Sequence, residues 1–167
     1  MIEIREATVE DIPAIVHVHV NVDWDTYFPL FGAAAYRLTA AESGDRWRRA
    51  LEGGGLLLVA CGRGAIVGLG HACADRIDAL YILPAYHRQG IGKAMFARLL
   101  RFLRERGVSE ARFDVVAVNA AAIAFYRAQG AREVGRCVNR DPRGDTEDLI
   151  FAVPTAKQGG QTPRGNV

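Results

Sequence analysis

The hydrophobic and polar positions of this chain switch between the two-residue repeat of strands and the spacing of amphipathic helices. Near the start, Ile2 and Ile4 alternate with charged residues, which predicts a short, half-buried strand. The apolar positions of Ile12–Val20 then follow helical spacing. We therefore expect a first helix that ends near Asn21.

The pattern is weaker in the next part of the chain. Asp23–Leu30 is rich in aromatic residues and contains a proline, which favours an irregular segment. A second helix is expected over Glu42–Leu51. The glycine run Gly53–Gly55 follows it and ends it.

The second half of the chain has the clearest strand and helix patterns. The strongest helix pattern covers Gly90–Arg106, because its apolar residues recur every four positions. Another helix is expected over Ala120–Gln129, with Asn119 as its cap. The predicted strands are Leu56–Cys61, Ala65–Ala74, Arg76–Leu83, Ala111–Val118, Glu133–Asn139 and Thr146–Val153.

The order of these elements predicts a mixed α/β domain, with a central sheet and helices on its faces. The apolar end of Ala111–Val118 is continuous, so this strand should lie in the interior of the sheet. The domain is expected to cover residues 1–153. The polar, glycine-rich remainder, 154–167, is expected to be a disordered tail.

Composition argues against several classes of function. The formal net charge is only +2, which argues against a dedicated nucleic-acid binder. The three cysteines lack CxxC spacing, so neither a disulfide framework nor a metal site is expected. No signal segment is visible, and the apolar run Leu56–Cys61 is too short to span a bilayer. These features predict a cytoplasmic enzyme that does not bind membranes.

The turn before the strongest helix carries most of the candidate chemistry. The first N–H groups of a helix lack intrahelical partners, and the helix dipole adds partial positive charge there. Gly90 and Gly92 would let an anion approach this backbone closely. Arg88 and Lys93 add full positive charges. The sequence therefore predicts a cradle for a pyrophosphate.

Two familiar phosphate-binding motifs do not fit this turn. A P-loop has four residues between its glycines and then Gly-Lys-Ser/Thr, which is absent. A dinucleotide fingerprint needs a third glycine, and Met95 stands at that position.

The same segment resembles the coenzyme A loop of the GNAT superfamily of N-acetyltransferases. The family pattern Q/R-x-x-G-x-G/A falls on His87–Gly92, with a histidine in its first position. Leu80–Pro84 is similar to the family's central strand, often written LYVxP, and Asn119–Tyr126 to its N-x-x-A-x-x-F-Y helix. The motifs have the family's order and separation, and the resemblance covers residues 1–153.

The resemblance implies a mixed, mostly antiparallel sheet of about seven strands flanked by about four helices. It also implies transfer of an acetyl group from acetyl-CoA to a primary amine by direct attack in a ternary complex. The cofactor-binding residues that it implies are Ile82, Leu83, His87, Arg88, Gln89, Gly90, Ile91, Gly92, Lys93, Asn119, Ala122, Phe125 and Tyr126.

Acetyl transfer passes through a tetrahedral oxyanion, requires a neutral amine and ends with a protonated thiol. The resemblance implies that backbone groups of Ile82 and Leu83 bind the pantetheine arm and polarise the thioester carbonyl. It implies that Tyr126 is the general acid that faces the sulfur. Core packing would explain an aromatic residue at this helical spacing equally well.

The general base remains open at this stage. Many relatives carry a glutamate where this chain has Arg76. Asp78 follows on the same face of a regular strand and is the first choice. Asp75, Glu147 or a water molecule are the alternatives.

The acceptor pocket is expected near the end of the first helix. His17, Asn21 and Trp24 are spaced for one helical face, and Tyr27 follows closely. These side chains would bind an amine by cation–π contact and hydrogen bonds. Ordinary packing of an amphipathic helix explains the same spacing. The acceptor itself, a small-molecule amine or a peptide or protein amine, stays open, as does a homodimer.

Two other functions fit parts of the sequence. A non-catalytic acyl-CoA-binding or sensing module is favoured by Arg76 at the usual base position and opposed by Tyr126. A binder of nucleotide phosphates would use the same glycine-rich turn.

Overall fold

The computed structural model describes residues 1–32, 38–141 and 144–156. These residues form a sheet and four α-helices. The strands are β1 (Ile2–Glu6), β2 (Leu56–Gly62), β3 (Ala65–Cys73), β4 (Arg76–Ile82), β5 (Glu110–Val116), β6 (Arg132–Asp141) and β7 (Gly144–Pro154). The helices are α1 (Ile12–Phe31), α2 (Ala40–Glu52), α3 (Ile91–Glu105) and α4 (Ala120–Ala128).

The seven strands lie in the order β1-β2-β3-β4-β5-β7-β6. Every neighbouring pair is antiparallel except β4 and β5, which are parallel. The sequence predicted this mixed, mostly antiparallel sheet, and the structure confirms it. The interior position expected for the strand at Ala111–Val118 is also confirmed, because β5 lies between β4 and β7.

The sheet separates two hydrophobic clusters. α3 and α4 cover one face, where Phe96 and Leu99 pack with Phe113. α1 and α2 cover the other face, where Ile15 and Trp47 pack on β2, β3 and β4. No described residue of β5, β6 or β7 belongs to this second cluster. The second face of those three strands is therefore left outside the α1–α2 layer.

α1 is longer than the sequence predicted. The expectation of an irregular aromatic segment is wrong, because the helix continues to Phe31. Aromatic pairs four residues apart support the extension: Trp24 and Phe28 have ring centroids 4.4 Å apart, and Tyr27 stacks on Phe31 at 6.1 Å. Pro29 lies in the last turn, where it removes a helical hydrogen bond near the end of the helix.

The remaining predicted elements agree with the observed ones to within two residues at each end. Ordered structure continues slightly beyond the predicted boundary at residue 153. Pro154 is the last residue of β7, and the Thr155 hydroxyl donates to the Val108 carbonyl at 2.6 Å. The rest of the predicted tail, 157–167, lies outside the described residues. Within the part of the chain that the structure describes, no helix is long and apolar enough to cross a membrane.

An ion pair joins β1 to the start of α1. Both guanidinium nitrogens of Arg5 donate to the carboxylate of Asp11, at 2.6 and 2.8 Å. The same carboxylate accepts from the Thr8 backbone N–H at 2.9 Å. The hydrogen bonds from Arg5 lower the pKa of the buried Asp11 carboxyl to about 2.

This ion pair predicts a pH dependence of stability. The lowered pKa of Asp11 contributes stability that is complete above the ordinary carboxyl pKa, near 4, and is lost as pH falls toward 2. Asp11→Asn should therefore lower the free energy of unfolding by about 1–2 kcal/mol at pH 7, and much less near pH 2. Urea denaturation from pH 2 to 7 measures this. Glu52→Gln, at an exposed helix end, is the control. If Asp11→Asn lost the same free energy of unfolding at pH 2 as at pH 7, the prediction would be contradicted.

Candidate active site

The two parallel strands β4 and β5 meet at one point and then part. Their pairing is confined to Arg76 opposite Arg112, where the Arg112 N–H donates to the Asp75 carbonyl at 3.0 Å. Beyond this point β5 continues in register with β7 only. The sheet therefore has an opening between the carboxyl-terminal halves of β4 and β5, lined by backbone groups without a strand partner.

A bulge in β4 lies at the start of this opening. His71 of β3 pairs with Ala79, whereas the next residue, Ala72, pairs with Ile77. Asp78 is thus the extra residue of β4. Ile77 packs in the α3–α4 cluster and Ala79 in the α1–α2 cluster. Because of the bulge, side chains two residues apart in β4 face opposite helix layers at this point.

The glycine-rich turn follows β4 and begins α3. Gly90 has φ of 81°, a left-handed conformation that glycine adopts without steric cost. The Ala94 N–H donates to the Gly90 carbonyl at 3.0 Å. The N–H groups of Ile91, Gly92 and Lys93, which precede it in the first helical turn, therefore have no intrahelical acceptor. They form the amide cradle that the sequence predicted.

The side chains of this turn leave the cradle open. Arg88 and Lys93 are exposed, and neither forms an ion pair with any described residue. Gln89 folds back on its own loop, donating to the Ala85 carbonyl at 3.3 Å. A Cβ at Gly92 would lie 3.5 Å from the ring of Phe125. α4 thus packs directly beside the start of α3.

His87, which departs from the family pattern, has a structural role in the loop. Its Nε2 lies 2.8 Å from the Ile82 carbonyl oxygen, which ties the loop to the end of β4. Leu83 uses both of its backbone groups within the fold: its N–H donates to Val67, and its carbonyl accepts from Tyr86. The expectation that Leu83 supplies a free backbone donor is therefore corrected.

Ile82 fills that role instead. In an antiparallel pair, residues alternately direct their N–H groups toward and away from the partner strand. Because Leu83 and Val67 are hydrogen-bonded, the neighbouring pair Ile82 and Gly68 is not. The Ile82 N–H is directed toward the opening beside β5.

Tyr126 lies on the α3–α4 side of the opening. Its ring packs against Phe113 at 4.4 Å, Phe125 at 5.1 Å and Phe96 at 5.5 Å between centroids. Burial raises the pKa of the phenol, with a smaller contribution from nearby Tyr81. The side chain of Tyr81 packs with the α1–α2 cluster. Tyr126 therefore remains protonated at neutral pH.

Asn119 begins α4 as a cap. Its side-chain oxygen accepts from the Ala122 N–H at 3.1 Å, which confirms the predicted cap. The cap fixes the start of the helix whose side chains Phe125 and Tyr126 border the opening.

The carboxylates nominated as bases lie in three different environments. Asp78 is bound by the imidazole of His71, with Nδ1 and Oδ2 3.0 Å apart. That hydrogen bond lowers the pKa of Asp78. Asp75 is exposed at the start of β4, and Glu147 accepts from Arg136 at 2.7 Å on the surface.

The structure adds two carboxylates that the sequence reading missed. Asp148 of β7 is buried, at 6% exposure, and accepts from the Thr146 hydroxyl at 2.9 Å. Asp114 of β5 is held by Arg76 at 2.6 Å. Burial raises the pKa of Asp148, and the nearby charge of Asp114 raises it further. Asp148 follows Thr146 by two residues in β7, which places both on one face of the strand, and this spacing was the available signal.

The four predicted acceptor residues separate into two groups. Trp24 and Tyr27 belong to the aromatic end of α1, where Phe31 approaches Gly144 at the hairpin of β6 and β7. His17 instead lines a cavity beside Arg5 of β1, and Asn21 donates to the His17 carbonyl at 2.7 Å. Placing His17 in the acceptor pocket is therefore corrected: seven residues of helix, about 10 Å, separate it from Trp24.

A buried polar network lies under Tyr81, and the sequence did not predict it. The His19 imidazole stacks on the Tyr81 ring at 5.3 Å. Its Nδ1 accepts from the Trp47 indole at 3.0 Å and lies 2.8 Å from the Ser43 hydroxyl. An Nδ1 that accepts the indole hydrogen bond carries no proton of its own, so the ring is neutral. The network fixes Tyr81 on the α1–α2 side of the opening.

The sequence model described as the Acetyltransferase (GNAT) family matches residues 19–131. This match covers more than half of the chain and includes the glycine-rich turn and α4. The chain belongs to the GNAT family of acetyltransferases.

Individual relatives match the chain over different lengths. The ribosomal protein bS18-alanine N-acetyltransferase of Escherichia coli K12 is 40% identical over 73 residues, 42% of this chain and 49% of that protein. The chain thus matches about half the length of this relative. YuaI, an uncharacterised N-acetyltransferase of Bacillus subtilis 168, is 30% identical over 146 residues, 80% of this chain and 82% of that protein.

Solved structures share the fold. The ribosomal-protein-S18-alanine N-acetyltransferase of Escherichia coli has a TM-score of 0.69 at 23% identity, over 96% of this chain and 98% of that chain. The PaiA N-acetyltransferase of Thermoplasma acidophilum, solved with coenzyme A, has a TM-score of 0.70 at 20% identity, over 92% and 99%. These likenesses establish the acyltransferase-type fold.

Proposed function

We propose that this chain transfers an acetyl group from acetyl-CoA to a primary amine by direct attack in a ternary complex. The observation that carries this proposal is the opening between β4 and β5. At the end of the opening lies an amide cradle beside two cations that form no ion pair with any described residue. One face carries the partly buried phenol of Tyr126, and the other face carries a group of carboxylates. Membership of the acetyltransferase family supports the same reaction.

The cofactor would bind through the turn and the opening. The diphosphate would lie on the N–H groups of Ile91, Gly92 and Lys93, where the helix dipole and the Arg88 guanidinium favour negative charge. Asn119, Ala122 and Phe125 of α4, together with Gln89 and His87 of the loop, would border it. The pantetheine arm would enter the opening and pair with the Ile82 N–H.

Acid and base would act from opposite faces of the sheet. The amine attacks the thioester carbon, a C–N bond forms, and the C–S bond breaks. The departing thiolate takes a proton from Tyr126, whose raised pKa keeps the phenol protonated until it is needed. The amine's proton goes to a carboxylate on the α1–α2 side.

Two carboxylates compete for the role of base. Asp78 is the residue that the sequence nominates, but its hydrogen bond to His71 lowers its pKa. Asp148 is buried on the same face of the sheet, with a raised pKa that brings it closer to neutral pH. A base works best when its pKa approaches the operating pH, so we favour Asp148 and retain Asp78 as the alternative.

The acceptor would be the α-amine of a peptide or protein. The relatives named for ribosomal-protein alanine support this choice. The second face of β5, β6 and β7 lies outside the α1–α2 layer and gives an extended chain room to lie beside the opening. Trp24 and Tyr27, at the end of α1, would contact the first residues of the acceptor.

Gly90→Ala should weaken coenzyme A binding about five- to tenfold. A Cβ disfavours the left-handed conformation of Gly90 by about 1–2 kcal/mol, and relief of that strain would distort the cradle. Gly130→Ala is the matched control, because Gly130 has φ of 87°, equally open surroundings and no place in the turn. Calorimetry with coenzyme A should detect the loss in Gly90→Ala alone. Equal affinities in the two variants would count against the cradle.

Tyr126→Phe should lower kcat about 100-fold while coenzyme A affinity stays within twofold. The substitution removes the proton donor and keeps the aromatic packing. Thiol release from acetyl-CoA with a panel of peptide amines measures kcat, and calorimetry measures the affinity. If the wild type binds coenzyme A but acetylates no amine on the panel, the non-catalytic acyl-CoA-binding module becomes the better description.

Asp148→Asn should lower kcat/KM about 100-fold at pH 7, and the loss should shrink at higher pH, where the amine loses its proton without help. Asp78→Asn, on the same face, is the comparison and should lose less than fivefold. A pH profile of kcat/KM for both variants makes the test. If Asp78→Asn instead shows a large, pH-dependent loss of kcat/KM while Asp148→Asn keeps the wild-type kcat/KM, Asp78 is the base.

A further inference from the structure

A second cavity on the α1–α2 face lies away from the cofactor turn. Its volume is about 480 Å³, and it lies between the carboxyl-terminal half of α2 and the beginning of β4. We call it the arginine pocket. Its charged and polar walls are Arg46, Arg49, His71, Arg76, Asp78 and Asp114.

The carboxylates of the arginine pocket are already paired. Asp78 is bound to His71 at 3.0 Å and Asp114 to Arg76 at 2.6 Å. Arg46 lies over the Trp47 ring at 4.9 Å, and no described residue forms an ion pair with Arg46 or Arg49. Two guanidinium groups thus remain available, and each can bind a carboxylate or phosphate through parallel N–H donors.

The positive charges converge on one wall. The pKa of Asp78 is lowered first by its hydrogen bond from His71, and further by the charges of Arg76 and Arg46. These groups come from α2, β3 and β4, so the fold brings them together from separate parts of the chain. An anion in the pocket would meet the same field.

His71 indicates that this wall is specifically built. The side chain is buried, at 8% exposure, and its Nε2 has no hydrogen-bond partner among the described residues. A Cβ at position 55 would lie 2.7 Å from that nitrogen, so Gly55 is the residue that leaves space beside it. A buried polar atom costs about 1–3 kcal/mol when no partner satisfies it.

The arginine pocket lies away from Ile82 and the cofactor turn, and it shares only Asp78, the alternative base, with the proposed reaction centre. Arg76 precedes Ile82 by six residues of strand, on the order of 15–20 Å. A ligand there would not touch the thioester. It would lie about four to six residues along an extended peptide whose amine entered the opening.

We propose that the arginine pocket binds an anionic group, a carboxylate or a phosphate. The group can come from an acidic side chain of the acceptor or from a small free anion, and both sources have the same chemistry. The acceptor-borne form rests on the proposed function, whereas the free-anion form does not.

The first experiment tests the free anion with inorganic phosphate. Trp47 lines the pocket, and Trp24→Phe leaves it as the only tryptophan of the chain, so its fluorescence reports occupancy. Phosphate should cause a saturable change that potassium chloride at equal ionic strength does not. In Arg49→Gln the midpoint should rise at least tenfold. Arg48→Gln, on the same helix but paired with Asp45, should match the parent protein.

The second experiment tests the acceptor-borne group. Peptide acceptors carrying one Glu or one Gln at positions three to seven are compared by kcat/KM. At one or two positions the Glu peptide should be preferred at least fivefold, both in the wild type and in Arg48→Gln. Arg49→Gln should reduce the ratio to about one, with coenzyme A affinity unchanged by calorimetry.

A response in either experiment supports the pocket and identifies the source of its anion. Absence of a saturable phosphate response, together with equal rates for Glu and Gln peptides, overturns the proposal. If no peptide is acetylated, the proposed peptide acceptor fails, and the fluorescence experiment alone decides whether the pocket binds an anion.

Discussion

The parting of two neighbouring parallel strands is the constraint on which the rest of the site depends. β4 and β5 share one point of pairing, at Arg76 and Arg112, and then leave backbone groups of both strands without a partner. Exposed backbone donors in the middle of a sheet are costly unless a ligand or water satisfies them. Under the proposed function, a bound thioester arm would satisfy them, so the interruption of the sheet would itself provide the binding groove.

The other parts of the site are arranged around that opening. The turn at Gly90 places helix N–H groups at its end, and the His87 contact with the Ile82 carbonyl holds the turn against β4. α4 brings Tyr126 to one face through its aromatic neighbours. The bulge at Asp78 and the network under Tyr81 set the opposite face. Each feature has its own local cause.

The sequence predicted the elements with strong periodicity and missed groupings that arise only in three dimensions. α3 and the turn at Gly90 could be predicted because the residues that define them lie within a short stretch of the chain. The end of α1 could not be predicted. Pro29 suggests a break, and the aromatic pairs that stabilise the helix form only once the segment is helical. His19 with Trp47 and the arginine pocket each combine positions that are distant along the chain. No spacing along the chain could reveal them.

The two hydrophobic clusters lie on opposite faces of the sheet and have no buried residue in common. Substitutions that repack α1 and α2 can therefore accumulate without disturbing Phe96, Phe113 and the helix start that holds the turn. Under the proposed function, such substitutions would change the surface that meets the acceptor and leave the turn that would hold the cofactor in place. A lineage could then acquire new acceptors as long as the candidate bases on that face are kept.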